Sequence, residues 1–212
     1  MTPTDPRKRP IDPARTALLV IDVQNATFHD GLSGTEPYFH GRARDTSIPN
    51  IATLLAAARR CGIECIYTVM ESLTLDGRDR SLDYKLSGFN IPRGSADAAV
   101  VAAVAPCGDE IVLPKSSSSL FNSTMFDYVL RNLGIDTVLV TGFLTDQCVD
   151  HTLRDGADRG YIMVCIEDAC ATKSPERHAN ALAAFAGYCR LASTTEICSE
   201  LAGLAKARAE SD

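Results

Sequence analysis

The chain has 212 residues, 45% of them hydrophobic, and a formal net charge of −6 at pH 7. This length suits one domain with a full core, and acidic charge spread along the chain without a basic block argues against a nucleic-acid surface and for small-molecule chemistry. No apolar run reaches membrane-spanning length, and eight irregularly spaced cysteines with no signal peptide before them read as free thiols of a reducing, cytoplasmic compartment.

Residues 1–14 carry Pro3, Pro6, Pro10 and Pro13 among charges, which reads as an N-terminal arm on the surface or on a partner subunit. Residues 15–212 read as a single domain. Thr16 to Asp22 is a near-continuous apolar run ending in an acid, the pattern of a central parallel strand with Asp22 at its carboxyl end, where open α/β sheets bind ligands. For a lone acid, a solvated loop position or a helix cap is the plainer alternative. Residues 23–50 show no clear period and read as a site-covering loop.

Apolar residues at 51, 54, 55 and 58 predict a helix over 48–60 stopped by Gly62, and Glu64 to Met70 a second strand. This βαβ unit implies parallel pairing. Residues 71–92 are rich in charge and turn formers, either a substrate-selecting loop or a solvated one. A short Ala/Val helix follows at 96–105, then a third strand over 110–115 that delivers Lys115 to the same edge. Residues 116–122 form a serine-rich loop, and 124–133 a helix ended by Gly134.

The run Thr137 to Val140 is a buried strand that stops at Gly142, with a helical pattern from about 146 to 159. Cys148 thus sits at a strand-to-helix turn, where unsatisfied N–H groups and the helix dipole lower a thiol pKa. A cysteine packed as a small hydrophobe is the alternative. A strand over 161–168, a helix over 175–189, a short strand near 191–196 and an Ala-rich tail complete the chain. Asp22 is followed by Val-Gln-Asn rather than a G-x-G-x-x-G turn, which argues against a nucleotide-binding fold.

Asp22 and Lys115 stand at the carboxyl ends of two parallel strands and Cys148 one turn after a third; if those strands are neighbours, an acid, an amine and a thiol converge on one crevice. Leu-Val-Ile-Asp-Val-Gln-Asn (19–25), Pro-Lys-x4-Leu-Phe (114–121) and Thr-Gly-Phe-Leu-Thr-Asp-Gln-Cys-Val (141–149) resemble the three signature segments of the isochorismatase-like cysteine hydrolases. The resemblance covers roughly residues 14–195 and implies a three-layer α/β/α sandwich around a mostly parallel, Rossmann-like sheet. It further implies Asp22 as proton shuttle, Lys115 as positioning cation and Cys148 as nucleophile of a thioester route. A cis peptide at Phe143–Leu144 and an oxyanion hole from the N–H groups of Leu144 and Cys148 are also implied.

The cysteine points to C–N cleavage in a linear amide or ureide, such as a carbamoyl or biuret-like compound. The alternatives are a nicotinamidase-like or isochorismatase-like hydrolase of a ring-bearing substrate, and a catalytically idle binding or assembly module. No Asp-x-His pair occurs in 23–70 and Cys61–Cys65 has no second pair, so neither a metal nor a cofactor is expected. Gln24 and Phe28 are candidate substrate contacts beside Phe143 and Leu144, and Arg78, Arg80 and Lys85 are candidates for a substrate carboxylate. The resemblance and the arm together favour a homo-oligomer, a tetramer in particular.

Overall fold

The computed structural model describes residues 5–209. In chain order it forms β1 (Thr16–Ile21), α1 (Leu32–Thr35), α2 (Pro37–Arg42), α3 (Ile48–Cys61), β2 (Glu64–Met70), α4 (Leu82–Leu86) and β3 (Ile111–Lys115). There follow α5 (Leu120–Ser123), α6 (Phe126–Asn132), β4 (Thr137–Phe143), α7 (Asp150–Asp158), β5 (Ile162–Ala171), α8 (Pro175–Phe185), β6 (Arg190–Ala192) and α9 (Thr194–Ala209). The six strands form one sheet in the order β3-β2-β1-β4-β5-β6, and every pairing is parallel.

Two apolar layers explain why β1 is buried at every residue. Leu18 and Val20 pack on one face with Ile51, Leu54 and Leu55 of α3, while Leu19 and Ile21 pack on the other with Phe126, Leu130, Leu153 and Phe185. Each strand alternates its side chains between two helical layers, so both faces need apolar residues and the strands read as unbroken hydrophobic runs. The three-layer sandwich expected from the motifs is the observed architecture.

After β1 the chain builds outward through β2 and β3, then returns to place β4 on the other side of β1. That reversal makes the carboxyl ends of β1 and β4 a topological switch point, where open α/β sheets bind ligands. Register aligns the strand ends: Ile21 stands opposite Thr68 and Gly142, and Met70 opposite Lys115. Gly142 has φ +110°, and a Cβ there would fall 2.1 Å from the Ile21 carbonyl oxygen. Only glycine lets β4 approach β1 this closely while turning toward the site.

Several local expectations are corrected. Residues 96–105 form no continuous helix; two 3-10 turns, Ala96–Ala98 and Ala102–Val104, flank Val100, which bridges to Gln24. The N–H groups of Asn25 and Ala26 donate to Ala99 and Asp97, and Val101 N–H to Val23. Pairing with the segment after β1 outcompetes local helix propensity. The 23–50 segment holds α1, α2 and a π-type turn, Ala43–Ser47, running into α3. Its buried residues Phe39, Ala43 and Ser47 recur every four positions, a stripe masked by the glycines around it.

The final strand is only Arg190–Ala192, because Ser193 and Glu196 form a capping box. The Ser193 N–H donates to Glu196 Oε2 at 2.7 Å, the Glu196 N–H donates to Ser193 Oγ at 3.3 Å, and the tail is helical. The described part of the arm lies along its own chain: Arg9 pairs with Asp136, and the Ile11 N–H donates to Glu200 Oε1 at 2.7 Å. Residues 1–4 of the arm lie outside the described residues. Among the described residues no helix is long and apolar enough to cross a membrane.

Candidate active site

Asp22 follows β1 directly, with φ +54°, a left-handed conformation uncommon outside glycine. Its N–H donates to the Thr68 carbonyl at 3.1 Å, and its Oδ1 accepts from Thr68 Oγ1 at 2.7 Å. The side chain is therefore fixed by β2, the neighbour of β1. Lys115, the last residue of β3, reaches across the end of β2. Its Nζ lies 2.9 Å from Asp22 Oδ2, donates to the Ser117 carbonyl at 2.9 Å, and donates to Cys148 Sγ at 3.3 Å.

Cys148 lies in the π-type turn Thr145–Val149 between β4 and α7. Exposure is 1% for Asp22, 1% for Lys115 and 5% for Cys148, so the three groups meet out of water. Asp22 Oδ2 meets the ammonium as an ion pair at 2.9 Å, with no other polar partner among the described residues.

The electrostatics follow from burial and these contacts. Dehydration alone would lower the Lys115 pKa, but Asp22, then Cys148 and Tyr84, outweigh it and hold the ammonium above its usual range. For Cys148, burial and the Asp22 carboxylate push the thiol up, against the pull of Lys115 and Ser118. The expectation of a lowered thiol pKa at a helix start is therefore corrected: the turn is dry and an acid sits beside it. The site thus sets a thiol whose pKa is pushed up beside the Asp22–Lys115 ion pair.

Phe143–Leu144 is a cis peptide at the end of β4. The Leu144 carbonyl accepts from the N–H groups of Gln147 and Val149 at 3.0 and 3.2 Å, which curls the turn around Cys148. Thr145 Oγ1 meets His178 Nδ1 of α8 at 2.9 Å, and Asp146 bonds Thr172 and Arg177. The turn is thus anchored on its far side by Thr172, just past β5, and by α8.

The remaining candidates lie apart from these contacts. Gln24 is fully buried; its amide clamps the Met70 backbone, donating to the carbonyl at 3.0 Å and accepting from the N–H at 2.6 Å. Arg80 donates to the carbonyls of Gly77 and Phe89 and so folds its own loop. Arg78 pairs with Asp76 at the surface, and Lys85 is exposed on α4. Phe28 stacks on His40 with ring centroids 5.2 Å apart and packs, like Leu144, on the core layer beneath α3.

Two residues go unnoticed in the sequence. Ser118 Oγ lies 3.5 Å from Cys148 Sγ. Tyr84 is 8% exposed, bonds Met70 Sδ at 3.2 Å, and feels the charges of Lys115, Cys148 and Asp22. Both stand in stretches without a clear period, so nothing in the sequence separates them from their neighbours. Among the described residues no cluster of three or more His, Cys, Asp or Glu is arranged to hold a metal ion.

Comparison with known proteins adds to this geometry. The isochorismatase domain family model matches residues 16–197. The chain is 34% identical to the ureidoacrylate amidohydrolase RutB of Pantoea ananatis over 180 residues, covering 77% of this chain and 72% of that protein. It is 33% identical to that of Methylobacterium radiotolerans over 198 residues, 85% and 77% of the two chains. Among solved structures, a cysteine hydrolase from Pseudomonas syringae pv. phaseolicola superposes with a TM-score of 0.82 at 27% identity, over 92% of this chain and 96% of that one. N-carbamoylsarcosine amidase from Thermoplasma acidophilum gives 0.71 at 26% identity, over 85% and 96%.

Proposed function

The chain belongs to the isochorismatase family, and within it we propose a cysteine amidohydrolase that cleaves a C–N bond of a small linear ureide or amide through a thioester. One observation carries this reading: a thiol, an ammonium and a carboxylate in mutual reach inside a dry site. The relatives support the substrate class, since their names specify ureidoacrylate and N-carbamoylsarcosine. Both names denote a carbonyl flanked by two nitrogens.

The reaction begins as the Cys148 S–H bond breaks, its proton passing to Asp22 Oδ2 while the sulfur electron pair bonds the carbonyl carbon. The N–H groups of Leu144 and Cys148 receive the oxyanion. Asp22 returns the proton to the departing nitrogen as the C–N bond breaks, leaving a thioester and ammonia or an amine. Water then gives a proton to Asp22 and its hydroxide to the thioester carbon. Collapse breaks the C–S bond, and the proton returns to sulfur.

Lys115 stays charged throughout and holds whichever of its two neighbours is anionic. Thiol, carboxylate and ammonium supply nucleophile, acid–base group and counter-charge, so the route needs no cofactor. Phe28 and Leu144 are the proposed apolar walls; Gln24 and Arg80 act through the backbone they hold. The chain is further proposed to work as a cytoplasmic homo-oligomer.

Ammonia release from a panel of ureides and amides tests the reading. Cys148→Ala should abolish release from whichever compound the parent protein hydrolyses, and turnover retained by that variant would refute the mechanism.

A further inference from the structure

The serine-rich loop after β3 divides its hydroxyls among separate tasks. Ser116 Oγ donates to the Asp79 carbonyl at 3.3 Å, tying down the loop after β2. Ser117 Oγ donates to the Ser119 carbonyl at 3.1 Å, while the Ser117 carbonyl receives Lys115. Ser119 Oγ donates to Asp155 Oδ2 at 2.6 Å and caps α5 through the Asn122 N–H. Only Ser118 turns its hydroxyl to the sulfur, at 3.5 Å.

We infer that Ser118 is a fourth catalytic residue, whose O–H donates to the Cys148 sulfur as the negative charge develops there. Donor and acceptor counting supports the assignment. The ammonium can only donate, an ionised carboxylate can only accept, and the thiol has one proton to give. Once Asp22 Oδ2 takes that proton, sulfur keeps two donors facing it, Lys115 Nζ and Ser118 Oγ. A neutral thiol is a weak acceptor, consistent with the long resting contact, whereas a thiolate makes charge-assisted bonds. The hydroxyl therefore stabilises the state after proton transfer more than the state before it. That difference raises kcat rather than lowering KM. The same hydroxyl opposes the burial that pushes the thiol up.

The kinetic part of this inference rests on the amidohydrolase reading, but the thiol titration does not. The test follows the ultraviolet absorbance of the thiolate against pH in the parent protein, Ser118→Ala, Ser118→Thr and Ser116→Ala, each referenced to the same protein carrying Cys148→Ala. Ser118→Ala should move the Cys148 midpoint up by about one pH unit, a tenfold loss of thiolate at a fixed lower pH. On a hydrolysed ureide its kcat should fall about tenfold with KM unchanged. Ser118→Thr keeps the hydroxyl and should restore both, and Ser116→Ala should change neither. An unmoved midpoint in Ser118→Ala would overturn the inference. A moved midpoint in a protein that hydrolyses neither ureide nor amide would leave the hydroxyl's bond to the thiolate standing and remove the amidohydrolase reading instead.

Discussion

The Lys115 ammonium is surrounded by a carboxylate, a carbonyl and a sulfur. Replacing it with Met would leave Asp22 buried without a counter-charge, which in comparable sites costs about 3–5 kcal/mol. Lys115→Met is expected to lose turnover and to lower the denaturant midpoint, and adding Asp22→Asn should recover part of the stability but none of the activity. The pH dependence has a definite sign. The native lysine pKa lies above its ordinary 10.5, so the contribution to stability is complete below 10.5 and lost only as pH rises through the raised native value. The gap between parent and Lys115→Met should therefore hold from neutral pH up to about 10.5 in urea titrations; a gap that already closes between about pH 7 and 10 would contradict it. The meeting of Asp22, Lys115 and Cys148 was legible because the first two end apolar runs and the third lies in the turn after another. Ser118 and Tyr84 were not, since which hydroxyl of a serine run faces the sulfur is fixed only when β3 and β4 are placed.

The site depends on how closely β4 approaches β1. Gly142→Ala would drive a methyl group into the Ile21 carbonyl and force a side chain onto φ +110°, whereas a methyl group at Gly34 would meet nothing within 4 Å and no positive φ. Gly142→Ala should cost about 4 kcal/mol or more, or prevent folding, while Gly34→Ala should stay within about 0.5 kcal/mol, as thermal unfolding would show. Parallel strands were readable because both faces are buried and the runs are continuous. The segment 96–105 was not, because its Ala and Val suit a helix locally and only the backbone of Asn25 and Ala26 draws it out. The start of α9 carried a legible signal, Ser193-Thr-Thr-Glu196, a capping box read instead as the end of a strand.

At the scale of the whole molecule, apolar surface concentrates in the loop after β2, where Leu73, Leu75, Leu82 and Leu86 are 54%, 78%, 72% and 79% exposed. Side chains of that size in one short stretch favour burial against another protein surface, which supports the proposed homo-oligomer. Sedimentation should give a mass several times that of the 22.8 kDa chain, a tetramer in particular. Leu75→Glu with Leu86→Glu should shift the protein toward smaller species, and a monomeric parent protein would refute the assembly. The alternation of apolar strands with helical patterns made the α/β fold evident, but the exposed leucines lie in a stretch that reads as a charged loop.

Lys115 reaches its partners across the end of a strand, and Cys148 arrives on the far side of β1 only after the chain has reversed direction. Carboxylate and ammonium come from β1 and β3, on one side of the switch point, whereas the sulfur comes from the turn after β4, on the other. The contact among the three groups therefore belongs to the assembled sheet and to no local segment of the chain.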